Sequence, residues 1–143
     1  MRHATDYATW YDAAAELDRL DGGEAWRHED DSPYYDVELL RRHRSEMAAL
    51  RDAGDALGLE SMLVESLYRV LTDIAAPPLY ASTHTGRTKQ LVEDYLDDAE
   101  ACLYWLADAP IPGLDVSEKR RRFERAYRNF GRSTLMLSGG AAW

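Results

Sequence analysis

The 143-residue chain carries a formal net charge of −9, from 26 acidic against 17 basic side chains. That length suits one domain that needs no disulfide or metal as a staple, and the acidic balance disfavours general affinity for nucleic-acid phosphates. The single cysteine, Cys102, excludes an internal disulfide, and no apolar run approaches the ~20 residues of a membrane-spanning helix.

The opening Met-Arg-His-Ala-Thr-Asp-Tyr lacks the apolar segment of a signal peptide, so a soluble, cytoplasmic protein is expected. A first helix is predicted from Thr5 or Asp6, either of which can cap free amides. It runs through Trp10, Ala14, Leu17 and Leu20 to the stop at Asp21-Gly22-Gly23. Ser32-Pro33 signals the next start, because serine caps and proline at the first helical position lacks only an amide that would be unpaired anyway. Tyr35, Leu39, Leu40, Met47 and Leu50 carry this second helix to Ala53, and Gly54 ends it. A third, from Asp55 to Ile74, aligns Leu59, Leu63, Leu67, Val70 and Ile74 before Pro77-Pro78 breaks it. Residues 79–87 read as the longest irregular connection. A fourth helix, Thr88 to Ala107, is expected to bury Val92, Tyr95, Ala99, Leu103 and Leu106. Past the stiff linker Pro110-Ile111-Pro112-Gly113, a fifth starts at the cap Ser117, carries Phe123, Tyr127 and Phe130, and ends at Gly131.

The pattern then changes. Ser133-Thr134-Leu135-Met136-Leu137-Ser138 is short, apolar and bounded by glycines, as a buried strand is, and Gly139-Gly140-Ala141-Ala142-Trp143 follows. A lone buried strand has no partner in a helical protein, so it reads as the first strand of a sheet formed elsewhere. A strand running into Ser-Gly-Gly-Ala is one way α/β proteins offer backbone amides to an anion. The expected fold is therefore mainly α. About five helices form one domain over residues 1–131, and residues 132–143 begin an α/β domain with a truncated glycine loop.

Other chemistry-bearing residues have plainer readings. Cys102 lies among Ala99, Leu103 and Leu106 and reads as a buried, inert thiol. Ser138 sits at a strand end, not inside an elbow, and no histidine is placed as its base. His28-Glu29-Asp30-Asp31 is an exposed acidic loop, since contiguous ligands point in different directions; no metal site and no cofactor are expected. His84, beside Thr83, Thr85 and Lys89, reads as a histidine that pins its loop with both ring nitrogens satisfied, with a functional role as the alternative. Trp10, Trp26 and Trp105 read as core or edge aromatics, and Lys119-Arg120-Arg121-Arg122 as a solvated face, with a lipid-binding patch as the alternative.

The run Gly131 to Ala141 closely resembles the opening of the catalytic domain of patatin-like lipases. Upstream, Leu17-Asp18-Arg19-Leu20, Trp26-Arg27, Ser32 with Tyr35-Asp36, Leu39-Leu40 and the turn from Leu50-Arg51 to Gly54-Asp55 resemble the uncharacterised helical domain preceding it in patatin-like triacylglycerol lipases. The strongest stretch is Leu79 to Gly86, followed by Thr88-Lys89, Leu91-Val92-Glu93 and Tyr95. Two departures stand out. Arg69-Val70 replaces the usual Arg-Asn, and Gly86-Arg87-Thr88-Lys89 is one residue longer than the usual Gly-Thr-Lys.

The resemblance implies a serine–aspartate dyad hydrolase acting on acylglycerols or phospholipids, with this chain as a non-catalytic portion. Gly139 and Gly140 match the start of the oxyanion loop, while the nucleophile elbow and catalytic aspartate are missing, so no catalytic residue is expected in this chain. Lipid ester substrate would be met through the absent catalytic domain, and the helical part would guide the protein to lipid surfaces or brace that domain. The rivals are a stand-alone helical interaction module and a regulatory protein docking on a separate catalytic subunit.

Overall fold

The computed structural model describes residues 6–110, 115–121 and 124. Helix α1 (Tyr7–Asp21) begins where Asp6 accepts the Thr9 amide at 2.8 Å, a cap worth ~1 kcal/mol. It ends at Gly22, whose φ of 91° lies in the left-handed region that side chains resist. The short helix α2 (Gly23–His28) follows at once, where the sequence suggests only an acidic connection. Six residues make fewer than two turns, too few for periodicity to show.

Helix α3 (Val37–Asp52) begins four residues beyond the predicted Pro33 start. Ser32 accepts the Tyr34 amide at 3.2 Å in a local turn, and Asp36 takes the cap by accepting the Leu39 amide at 3.0 Å. The delay follows from Tyr35, which is buried and donates its hydroxyl to the Asp30 carbonyl at 2.7 Å, tying down the segment before the helix. Helix α4 (Ala56–Ile74) is capped by Asp55, as its sequence suggests. The supposed irregular stretch contains a helical turn, α5 (Pro78–Ala81), and α6 (Gln90–Asp108) starts two residues after Thr88. A further helical segment covers residues 116–121, and its cap is Asp115, which accepts the Glu118 amide at 2.7 Å, not Ser117. Among the described residues there is no strand; the predicted 133–138 strand, Gly139 and Gly140 lie outside them.

The core forms where α3, α4 and α6 meet, with α5 beneath. Leu40 and Met47 from α3, Leu59, Val70 and Ile74 from α4, Leu79 from α5, and Val92, Tyr95 and Cys102 from α6 are all essentially inaccessible. Each buried aliphatic side chain stabilises the fold by roughly 1.5–3 kcal/mol. Cys102 is buried as expected, and burial pushes its thiol pKa up. Leu103 instead points outward, because its neighbours Cys102 and Leu106 take the inner positions.

Helix α1 departs most from its sequence pattern. Trp10, Leu17 and Leu20, predicted to face inward, are 44%, 49% and 66% exposed, while Ala14 and Asp18 are buried. The helix is rotated so that a carboxylate, not the leucine stripe, meets the rest of the molecule. Trp26 and Trp105 are partly buried against the core, as edge aromatics.

Candidate functional site

Asp18 projects from α1 into the loop that follows α5. Its Oδ1 accepts the His84 amide at 2.6 Å, and its Oδ2 accepts the Thr85 amide at 3.2 Å and the Thr85 hydroxyl at 2.7 Å. Burial alone would raise the Asp18 pKa, but these hydrogen bonds outweigh it and hold the carboxyl below its usual range. Asp18 is therefore ionised and fully engaged, although 2% exposed. One turn on, Asp21 Oδ2 meets His84 Nε2 at 2.5 Å.

A second set of contacts joins α2 to the start of α6. Arg27, 3% exposed, donates to the Thr88 carbonyl at 3.0 Å, to Gln90 at 3.0 Å, to Glu93 at 2.8 Å and to Glu24 at 3.3 Å. Glu93 also receives Arg87 at 2.5 Å. Lys89 is 2% exposed; its Nζ donates to the Trp26 carbonyl at 2.7 Å and lies 4.3 Å from the centroid of the Trp26 ring. Burial lowers the Lys89 pKa, countered by the charges of Glu29, Asp31 and Asp30. Buried charges need such partners, since each unpaired one would cost several kcal/mol.

Together these contacts form a polar clasp that fixes α1 and α2 to residues 83–93. His84 and Lys89, singled out by the sequence, both belong to it, His84 through contacts to α1 and Lys89 through its contact to α2. Asp18 and Arg27 carry most of its hydrogen bonds and were legible only as members of the resemblance. The one local signal for Asp18 is its place four residues after Ala14, on the same helical face. Ligand atoms of Asp18, Asp21 and His84 lie within 4.8 Å of one another, close enough for a metal ion. Three donors already converge on Asp18, however, so its charge is compensated without one. Gly86 takes φ 71°, and Arg87 just after it reaches Glu93.

The residues that build this clasp and core fall within a known domain. The model of a family described as a domain of unknown function, DUF3336, matches residues 1–128. The chain belongs to the DUF3336 family. This DUF3336 domain is similar to triacylglycerol lipase ptl3 of Schizosaccharomyces pombe, at 32% identity over 143 residues, covering all of the chain and 29% of the relative. It is equally similar to triacylglycerol lipase ptl2 of the same yeast, covering 22% of that protein. A patatin-like phospholipase domain-containing protein of Aspergillus terreus is 32% identical over 154 residues, matching 97% of the chain and 21% of the relative. The DUF3336 domain thus spans less than a third of these relatives' length. No solved structure matches it. Among the described residues no helix is long and apolar enough to cross a membrane.

Proposed function

We propose that this domain is the non-catalytic helical portion of a patatin-like lipid acyl hydrolase that cleaves carboxylic esters of triacylglycerols or phospholipids. The observation that carries this reading is the 32% identity, across the whole chain, to proteins named triacylglycerol lipases. The clasp supports a bracing role: its buried charges are consumed in holding helices together, and none is left as an obvious nucleophile or base. In the complete protein Gly139 and Gly140 begin the oxyanion loop, whose amides stabilise the tetrahedral intermediate. His84 and Lys89 serve by shaping the loop between α5 and α6. The protein works in the cytoplasm, at the periphery of lipid surfaces.

The test is made in the complete enzyme. Gly140→Val should lower turnover of a long-chain acylglycerol about a hundredfold or more, the scale of losing an oxyanion donor, while Gly113→Ala should leave it nearly intact. Equal activity of the two variants would remove Gly140 from the oxyanion hole. Absence of hydrolysis by the parent protein would defeat the reading as a whole.

A further inference from the structure

An apolar trough runs along the outer seam between α4 and α6. On α4, Leu57, Val64 and Leu71 recur every seven residues, which puts them on one face of the helix, with Tyr68 beside them. That face is turned away from α3, because Gly58, Met62, Ser66 and Arg69 line the α3–α4 side. On α6, Leu96 and Leu103 also lie seven apart. They occupy the flank opposite Asp94 and Asp98, which Arg44 of α3 holds at 3.0 and 2.6 Å. Helices α4 and α6 touch each other, so both flanks open onto the same seam. Leu57 is 47% exposed, Val64 56%, Tyr68 62% and Leu103 39%, while Leu71 and Leu96 are partly buried against the core.

The helix directions decide what can reach this seam. α3 and α6 run parallel: the His43 and Tyr95 ring centroids are 6.4 Å apart, and farther along both helices Arg51 lies close enough for its charge to act on Cys102. α4 follows α3 through a three-residue turn, with Leu50 against Gly58, and so runs antiparallel to both. Leu57 and Leu103 therefore stand toward the same end of the bundle. The chain leaves α6 at that end, and Lys119 is tied to it by donating to the Ala109 carbonyl at 2.6 Å. Residues 116–121 are already helical.

We infer that residues 116–130 of this same chain dock in the trough as a fourth helix, antiparallel to α6, with Phe123, Tyr127 and Phe130 seated between α4 and α6. The four- and three-residue spacing of these aromatics makes one stripe, and a helix carrying such a stripe needs an apolar surface to bury it. The lengths agree. With Lys119 level with Ala109 to within about one turn, Phe123 and Tyr127 fall about 6 and 12 Å along the returning helix. They bracket Leu103, which lies about 9 Å before Ala109. Charge agrees as well. Over residues 116–130 six basic side chains stand against two acidic ones, in a chain of net charge −9, and Glu60 and Glu100 belong to the two helices that wall the trough. The same acidity disfavours an anionic membrane as the occupant. The other exposed apolar stripe, on α1, is out of reach. Asp18 clasps that helix to residues 84 and 85, ahead of α6, and the 19 residues of α6 put about 28 Å between that end and Ala109.

The test is solution NMR of the 143-residue chain with labelled methyl groups, run beside limited trypsin digestion. Nuclear Overhauser contacts should join the Val64 and Leu103 methyls to the rings of Phe123, Tyr127 or Phe130. Phe123→Ser with Tyr127→Ser should shift those methyl signals and leave the buried Leu40 methyls in place. Cleavage after Arg122, Arg125 and Arg128 should be about tenfold or more faster in Val64→Asp with Leu103→Asp than in the natural chain, since an undocked helix opens freely to a protease. Circular dichroism should show this variant folded, because both positions are exposed. A sample mixing labelled and unlabelled chains separates contacts within one molecule from contacts between two. Contacts within one molecule, together with faster cleavage of the variant, would support the docking. Contacts only between molecules would make a second copy the occupant. Protection appearing only with anionic phospholipid vesicles would make a lipid surface the partner of the segment. Either of these results, or failure of either readout, would overturn the inference.

Discussion

The Asp18 carboxylate on α1 accepts the backbone amide of His84 at 2.6 Å, across 66 residues of chain. Because Asp18 is buried, its removal leaves the His84 and Thr85 amides without their acceptor as well as losing the bonds themselves. Asp18→Ala should therefore cost about 3 kcal/mol in urea unfolding. Asp12→Ala on the same helix, where the side chain is exposed, should stay within about 0.5 kcal/mol. The Asp18 pKa is depressed in the fold, so its contribution is present above the unfolded carboxyl value of about 3.9 and is lost as pH falls through the lower folded value.

His43 gives a pH effect in a different window. Burial and Arg42 lower its folded pKa, with Glu46 opposing them. As pH falls below the unfolded value of about 6.5, the unfolded chain takes up the proton first, and stability declines. Urea midpoints measured from pH 7.5 to 5 should fall in the natural protein and fall less in His43→Gln. Parallel slopes would mean that other groups set the dependence.

The start of α3 can be tested by its two candidate caps. Asp36→Ala should cost about 1 kcal/mol, because Asp36 accepts the Leu39 amide. Ser32→Ala should cost a few tenths at most, since its hydroxyl holds only a local turn.

Side-chain truncation separates the exposed stripe of α1 from the core. Leu17→Ser should change stability by less than about 0.5 kcal/mol, whereas Leu40→Ala should cost about 2–5 kcal/mol. Similar losses at both positions would mean that Leu17 is covered in solution.

Legibility followed the physical signal. The α4 boundaries and most of the inward faces of α3, α4 and α6, Leu103 excepted, could be read because regularly spaced aliphatic residues there face a single apolar core. The α1 face could not, since Trp10, Leu17 and Leu20 have the spacing of a buried stripe while Asp18 supplies the attachment. Periodicity registers apolar side chains and is blind to a buried carboxylate with three donors. Helix α2 was hidden for a related reason: it is too short to repeat, and its anchors, Arg27 and Lys89, look like surface charges until their partners, Glu93 and the Trp26 carbonyl, are in place. Of the candidate site residues, His84 and Lys89 stand out in the sequence through the polar loop around them, and in the fold both make contacts to α1 or α2. Gly139 and Gly140 remain proposals outside the described residues.

The measurement closest to the central claim is an ester-hydrolysis assay of the purified 143-residue chain beside the complete protein, using a short-chain nitrophenyl ester and a long-chain triacylglycerol. A non-catalytic helical portion predicts no turnover above a heat-treated control for the isolated chain and hydrolysis by the complete protein. Saturable turnover by the isolated chain, abolished by Ser138→Ala, would contradict the account and make Ser138 a nucleophile.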